Sequence, residues 1–140
     1  MAAFMSKLVV ECISDVDATG RGFWMVREPF QYFSDILGAM ITVEAGFITD
    51  FASVPRVPFI YDLLGDTAHK PAVIHDWLYH HHEVCDEQKA NDIFREACIN
   101  DGVPEWRLFS LWVGVVLGGK TGWDEDGKGN GHSIVNGQIV

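Results

Sequence analysis

The hydrophobic pattern changes period near the middle of the chain. Up to Thr49, apolar residues alternate with polar ones or form short β-branched runs, and beyond Pro71 they recur at helical spacing. Residues 7–14 have the composition of a strand, 15–22 are rich in turn formers, and 23–27 and 30–33 are two further strands parted by Pro29. Residues 35–38 form a connection. In 39–45, Ile41 and Val43 share one face and Thr42 and Glu44 the other, and Gly46 marks a turn or bulge before Phe47, Ile48 and Thr49. A small antiparallel sheet is predicted for this third of the chain.

The stretch 50–56 mixes small, polar and apolar residues, and the steps Val54-Pro55 and Val57-Pro58 exclude a regular helix there. Three helices are predicted next. The first covers about 71–79, with Pro71 at its first position, where a missing N–H costs nothing. The second covers about 86–100, where Ala90, Phe94, Ala97 and Cys98 share a face flanked by Ile93 and Asn91, and Asp101-Gly102 ends it. Pro104 starts the third, through about 117, whose apolar residues lie nearly all round and predict burial on more than one side. From 118 to 131 the chain is glycine-rich and charged, and 133–140 hold two short apolar runs about Asn136-Gly137, a hairpin signal. The expected fold is α+β: one domain over 1–123, with a small antiparallel N-terminal sheet followed by about three helices. An extended, glycine-rich tail over 124–140 carries a terminal β-hairpin.

Composition narrows the classes. At 140 residues, 48% hydrophobic and 12% aromatic, the chain can bury a core without disulfide staples. Its net charge of −10 opposes binding to nucleic-acid phosphates and is compatible with cation binding. Cys12, Cys85 and Cys98 are odd in number and irregularly spaced, which indicates reduced thiols rather than a disulfide framework or zinc knuckle. No signal-peptide pattern opens the chain, and its longest apolar run, 108–117, is too short to span a bilayer. A soluble protein without a transmembrane segment, synthesised in a host cytoplasm, is expected.

On the first helix Val73, Ile74, Trp77 and Leu78 form one apolar face, while His75, Asp76 and Tyr79 fall together on the other side. An imidazole, a carboxylate and a phenol side by side suit either general-base chemistry or a polar packing network. Asp50 could add a second carboxylate and Ser53 a nucleophile or helix-capping oxygen; equally, Asp50 and Arg56 could form a structural ion pair and Ser53 cap a turn. Consecutive His80, His81 and His82 point in different directions at a helix end, so a solvated terminus is expected there rather than one metal centre. The acidic turn at 124–127 is too short for a calcium loop.

The runs Gly46-Phe47-Ile48-Thr49-Asp50-Phe51-Ala52-Ser53-Val54-Pro55-Arg56, Ile74-His75-Asp76-Trp77-Leu78-Tyr79, Ala90-Asn91-Asp92-Ile93-Phe94 and Asp101-Gly102-Val103 resemble a phage and prophage family. It is catalogued only as a domain of unknown function, number 1353 of its series. The resemblance runs from about residue 23 to 123 and implies a bacteriophage or prophage protein, with no assigned reaction. The family usually has aspartate where this chain has Asn91. Asp92 lies roughly 100° round the helix from it, so Asn91 is the residue expected to face His75. A more local resemblance is to the phospholipase A2 helix pair, in which a His-Asp-x-x-Tyr run faces an aspartate on the next helix. It implies that His75 activates water, Asp76 ligates Ca²⁺ or another divalent cation, and Tyr79 with Asn91 orients the histidine. The glycine-rich calcium loop and paired cysteines of phospholipases are missing from this sequence.

Two functions are therefore expected to compete. One is a virion-associated tail or tail-adaptor/assembly protein, in which His75 and Asp76 belong to a buried polar network. The other is a small metal-assisted hydrolase acting on lipid or cell-wall material of the host envelope. On the second reading His75, Asn91, Tyr79 and Ser53 are catalytic, and Asp76 and Asp50 bind the metal. The expected partners are other virion proteins, or further copies of the chain, met through the tail. Ordering glycine-rich backbone costs about 1–2 kcal/mol per residue, which Ile134, Val135, Ile139 and Val140 alone are too few to offset.

Overall fold

The computed structural model describes residues 1–14, 23–49 and 69–109, Trp112 and Trp123, and the backbone of two strands at 134–135 and 138–139. The fold is α+β. Six short strands come first: β1 (Ala3–Phe4), β2 (Val10–Ser14), β3 (Phe23–Val26), β4 (Phe30–Ser34), β5 (Ala39–Val43) and β6 (Ile48–Thr49). Helix α1 (His69–His80) and helix α2 (Glu87–Asn100) follow, and residues 105–109 are helical as well. Strands β7 (Ile134–Val135) and β8 (Gln138–Ile139) pair antiparallel across Asn136-Gly137, at the position of the expected hairpin.

The single sheet expected from the pattern is two. One has the order β1-β4-β5 and the other β2-β3-β6, all antiparallel. Two features divide them. Strand β1 supplies an edge to the first sheet, and at two residues it is too short to show an alternation. At Gly46, whose φ of 98° suits glycine, the chain turns out of β5, and the Gly46 N–H bonds Val26 O at 2.7 Å. That turn delivers β6 to β3 instead of extending β5.

In the first sheet alternation decides which side is buried. Phe30, Tyr32 and Ser34 of β4 point inward, opposite Val43, Ile41 and Ala39 of β5. Phe30, Tyr32, Ile41, Val43 and Val26 pack with Val73, Ile74 and Leu78 of α1 and Ile93 and Ala97 of α2 in one core. Asp86 caps α2, its carboxylate accepting the Lys89 N–H at 2.8 Å, and Gly102 follows the helix with φ 78°.

Helix α1 begins two residues before Pro71, which still lies within the first turn, where its absent N–H breaks no helical bond. The helical segment at 105–109 departs from its expectation. Leu108 is buried there, but Trp106 and Phe109 are 57% and 69% exposed, so this part is not enclosed all round.

Glu96 ties the first sheet to α2. The buried Tyr32 hydroxyl donates to its Oε1 at 2.8 Å, and the Ile36 N–H donates to Oε2 at 3.0 Å. Burial, then the adjacent carboxylate, pushes the Tyr32 phenol far above its usual range, so it stays a donor. Glu96→Ala should lower unfolding free energy by about 1–3 kcal/mol, since it strands a buried hydroxyl, and Glu96→Gln by less. Equal denaturation midpoints for wild type and Glu96→Ala would show the tie to be idle.

Candidate functional site

Helix α1 is buried on nearly every side. Pro71, Ala72, Val73, Ile74, His75, Asp76, Leu78 and Tyr79 are all inside, and Trp77, expected on the buried apolar face, is partly exposed, as are His69, Lys70 and His80 at the helix ends. The polar stripe is therefore not an open surface, as an amphipathic helix would have it. Helix α1 packs against β5 and against α2, so both of its sides need cover.

The stripe meets α2 at Asn91. His75 Nε2 lies 2.7 Å from Asn91 Oδ1, and the Tyr79 hydroxyl donates to the same oxygen at 2.9 Å. The expectation that Asn91, rather than Asp92, faces His75 agrees with this geometry. Since an amide oxygen only accepts, the imidazole carries its hydrogen on Nε2. His75 is 2% exposed, Tyr79 5% and Asn91 6%. The i, i+4 spacing sets the His75 and Tyr79 rings 4.2 Å apart, and Phe94 of α2 approaches the imidazole at 5.0 Å. Burial lowers the His75 pKa to about 4, against a smaller upward pull from the Asn91 hydrogen bond. At neutral pH the ring is uncharged, and the node is a set of neutral hydrogen bonds between two helices.

Asp76 is also buried, with its carboxylate 3.5 Å from His80 Nδ1. Asp50, Ser53 and Arg56 lie outside the described residues. Calcium takes about six to eight oxygens, and Asp76 brings one carboxylate. Among the described residues no group of three or more His, Cys, Asp or Glu side chains could hold a metal ion. The expected second ligand, Asp50, lies outside that set, so the described part of the expected metal pair is Asp76 alone.

The three histidines do not converge on one point. His80 and His81 fold back onto α1, their Nδ1 atoms 2.8 Å and 2.7 Å from the Asp76 and Trp77 carbonyls. The Trp77 carbonyl is among the last four of the helix, whose i+4 donors lie beyond its end. His81 also stacks on Trp77, whose indole N–H reaches Glu44 at 2.9 Å. His82 lies parallel to Trp123 at 3.5 Å, and Tyr79 meets the same indole edge-on at 5.1 Å. The end of α1 is thus packed as well as partly solvated.

Trp123 is not among the site residues expected from the sequence. Its only signal there is composition, a bulky aromatic alone in a glycine-rich stretch. Cys98 and Cys85 are poor nucleophile candidates: burial pushes their thiols up to about 12 and about 11.

Fold and node together define a small α+β protein with a histidine site buried between two helices. The chain belongs to the DUF1353 family, described as a protein of unknown function, whose model matches residues 24–115. That span holds all but the first residue of β3, then β4 to β6, both long helices and the whole His75–Tyr79–Asn91 node. No curated protein and no solved structure matches the chain.

Proposed function

We propose that the protein is a bacteriophage virion-associated component, of the tail or of its adaptor and assembly machinery, and that the His75 node is a cross-link between α1 and α2. The observation that carries the structural half is the mutual saturation of buried groups, with imidazole and phenol both ending on Asn91 Oδ1. A neutral imidazole with a pKa near 4 is a weak base at neutral pH, which suits packing better than proton abstraction. Exposed Ile99, Trp106 and Phe109 and the terminal hairpin support a role in contacts between chains. The phage assignment rests on the family resemblance of the sequence.

Purified particles of a phage carrying this chain, analysed by mass spectrometry, should contain it at fixed stoichiometry. Particles formed with a chain ending at residue 126 should lack it, while that shorter chain stays folded in solution. Full incorporation without 127–140 would contradict assembly through the tail.

One observation favours hydrolysis as a second reading. His75 and Tyr79 share Asn91 Oδ1 as the phospholipase A2 resemblance implies for an orienting group. On that reading Asn91→Asp should raise cleavage of phospholipid vesicles or peptidoglycan, because a carboxylate stabilises the imidazolium. No Ca²⁺ binding at millimolar concentration and no cleavage by either form would remove this reading.

A further inference from the structure

Helix α2 packs against α1, β1 and β4, and its other side is grooved. One cleft of about 460 Å³ lies between that side and the β4–β5 turn, lined by Ile36, Asp92, Arg95, Glu96, Ile99 and Asn100. A second, of about 350 Å³, is bordered by Gln88, Asn91, Asp92 and Trp112, so Asp92 belongs to both. Gln88, Asp92, Arg95 and Ile99 follow one another at intervals of four, three and four residues and fall within a stripe roughly 60° wide. That is the spacing of a helix-pairing seam. Its apolar member is left uncovered: Ile99 is 57% exposed, and Ile36 across the first cleft is 41% exposed. Its charges are one of each sign, and among the described residues neither Asp92 nor Arg95 has an ion-pair partner. Glu96 is already committed, its two oxygens accepting from the Tyr32 hydroxyl and the Ile36 N–H.

We infer that this face of α2 docks on the same face of a second copy of the chain, the two helices running antiparallel about a twofold axis. Twofold pairing requires a patch that complements itself. With the axis midway between Asp92 and Arg95, each Asp92 stands level with Arg95 of the other copy, so one carboxylate–guanidinium contact is made twice. Each Ile99 stands level with Gln88 of the other copy, at the two ends of the seam, and loses its exposure there. A basic partner, which a chain charge of −10 would otherwise draw, meets Arg95 in the groove, and an acidic partner meets Asp92. A surface carrying both signs in the reverse order satisfies both, and an antiparallel copy of this helix is such a surface. From Gln88 to Ile99 the seam is only about 17 Å long, so the dimer is a weak one. It is separate from the contact proposed for the tail.

Sedimentation velocity of the full chain, at concentrations up to about 0.5 mM, should show a reversible monomer–dimer equilibrium. Arg95→Asp sets carboxylate against carboxylate at both symmetric contacts, and Asp92→Arg sets cation against cation. Each variant alone should therefore dimerise about tenfold more weakly than the wild type. Mixed in equal amounts, the two variants should recover much of the wild-type association as a heterodimer, because each supplies the charge that the other lacks. Recovery also shows that both variants are folded. A wild-type chain that stays monomeric throughout that range, or a mixture no better than the single variants, would overturn the inference. A dimer indifferent to both reversals would overturn it too, while leaving the tail contact untouched.

Discussion

Replacing Asn91 with leucine will lower unfolding free energy by about 2–5 kcal/mol, the largest loss expected from any single polar side chain here. The substitution keeps the branched shape, with bulkier methyl groups, and removes one acceptor that serves two buried donors, the His75 Nε2–H and the Tyr79 hydroxyl. Each stranded donor costs about 1–3 kcal/mol, because water cannot reach it in the folded state. For a chain of this length the thermal midpoint should drop roughly 3–4 °C per kcal/mol. Asn91→Asp, which keeps an acceptor at the same place, should fold at neutral pH and raise the His75 pKa through charge attraction. An Asn91→Leu variant that melts with the wild type would mean that the node stabilises nothing.

The second large effect is acid sensitivity. Buried His75 has its pKa lowered from 6.5 to about 4, so between these values the unfolded chain binds a proton that the folded chain refuses. Stability from this group is therefore complete above pH 6.5, falls as pH drops below that, and is lost by about pH 4. The drop amounts to roughly 3 kcal/mol over that window. Carboxylates add their own slope at the acid end, so the comparison is with His75→Gln, whose stability should be flatter between pH 6.5 and 4. Parallel curves for the two proteins would place the acid response elsewhere.

Much of the fold was legible because local chemistry and global packing agree. Alternation in β5 puts Ile41 and Val43 in the core as read, Asp86 and Gly102 bracket α2, and the Asn136-Gly137 step lies between two paired strands. The division into two sheets was not legible. It depends on β1, two residues long, and on where the turn at Gly46 delivers the chain, and neither leaves a periodic trace. Burial of α1 on both sides was hidden for a related reason. A helical wheel gives the phase of His75 relative to Trp77, but not how many neighbours the helix has, so Trp77 and His75 exchanged environments.

The candidate site follows the same division. Facing of Asn91 to His75 could be read from helix phase together with the family resemblance, and the structure places them 2.7 Å apart. Tyr79 joined the same oxygen through its i, i+4 spacing to His75. The cleft beside Asn91 depends on Trp112, a residue 21 positions further along the chain, and no spacing rule connects the two.

The central claim is that His75 is a neutral, buried donor to Asn91 rather than a titrating surface base. Long-range ¹⁵N NMR of the imidazole across pH tests it most directly. The account predicts a ring protonated on Nε2, coupled to a slowly exchanging proton, with its midpoint near pH 4. A midpoint at the ordinary value of 6.5, or a hydrogen resident on Nδ1 at neutral pH, would contradict it.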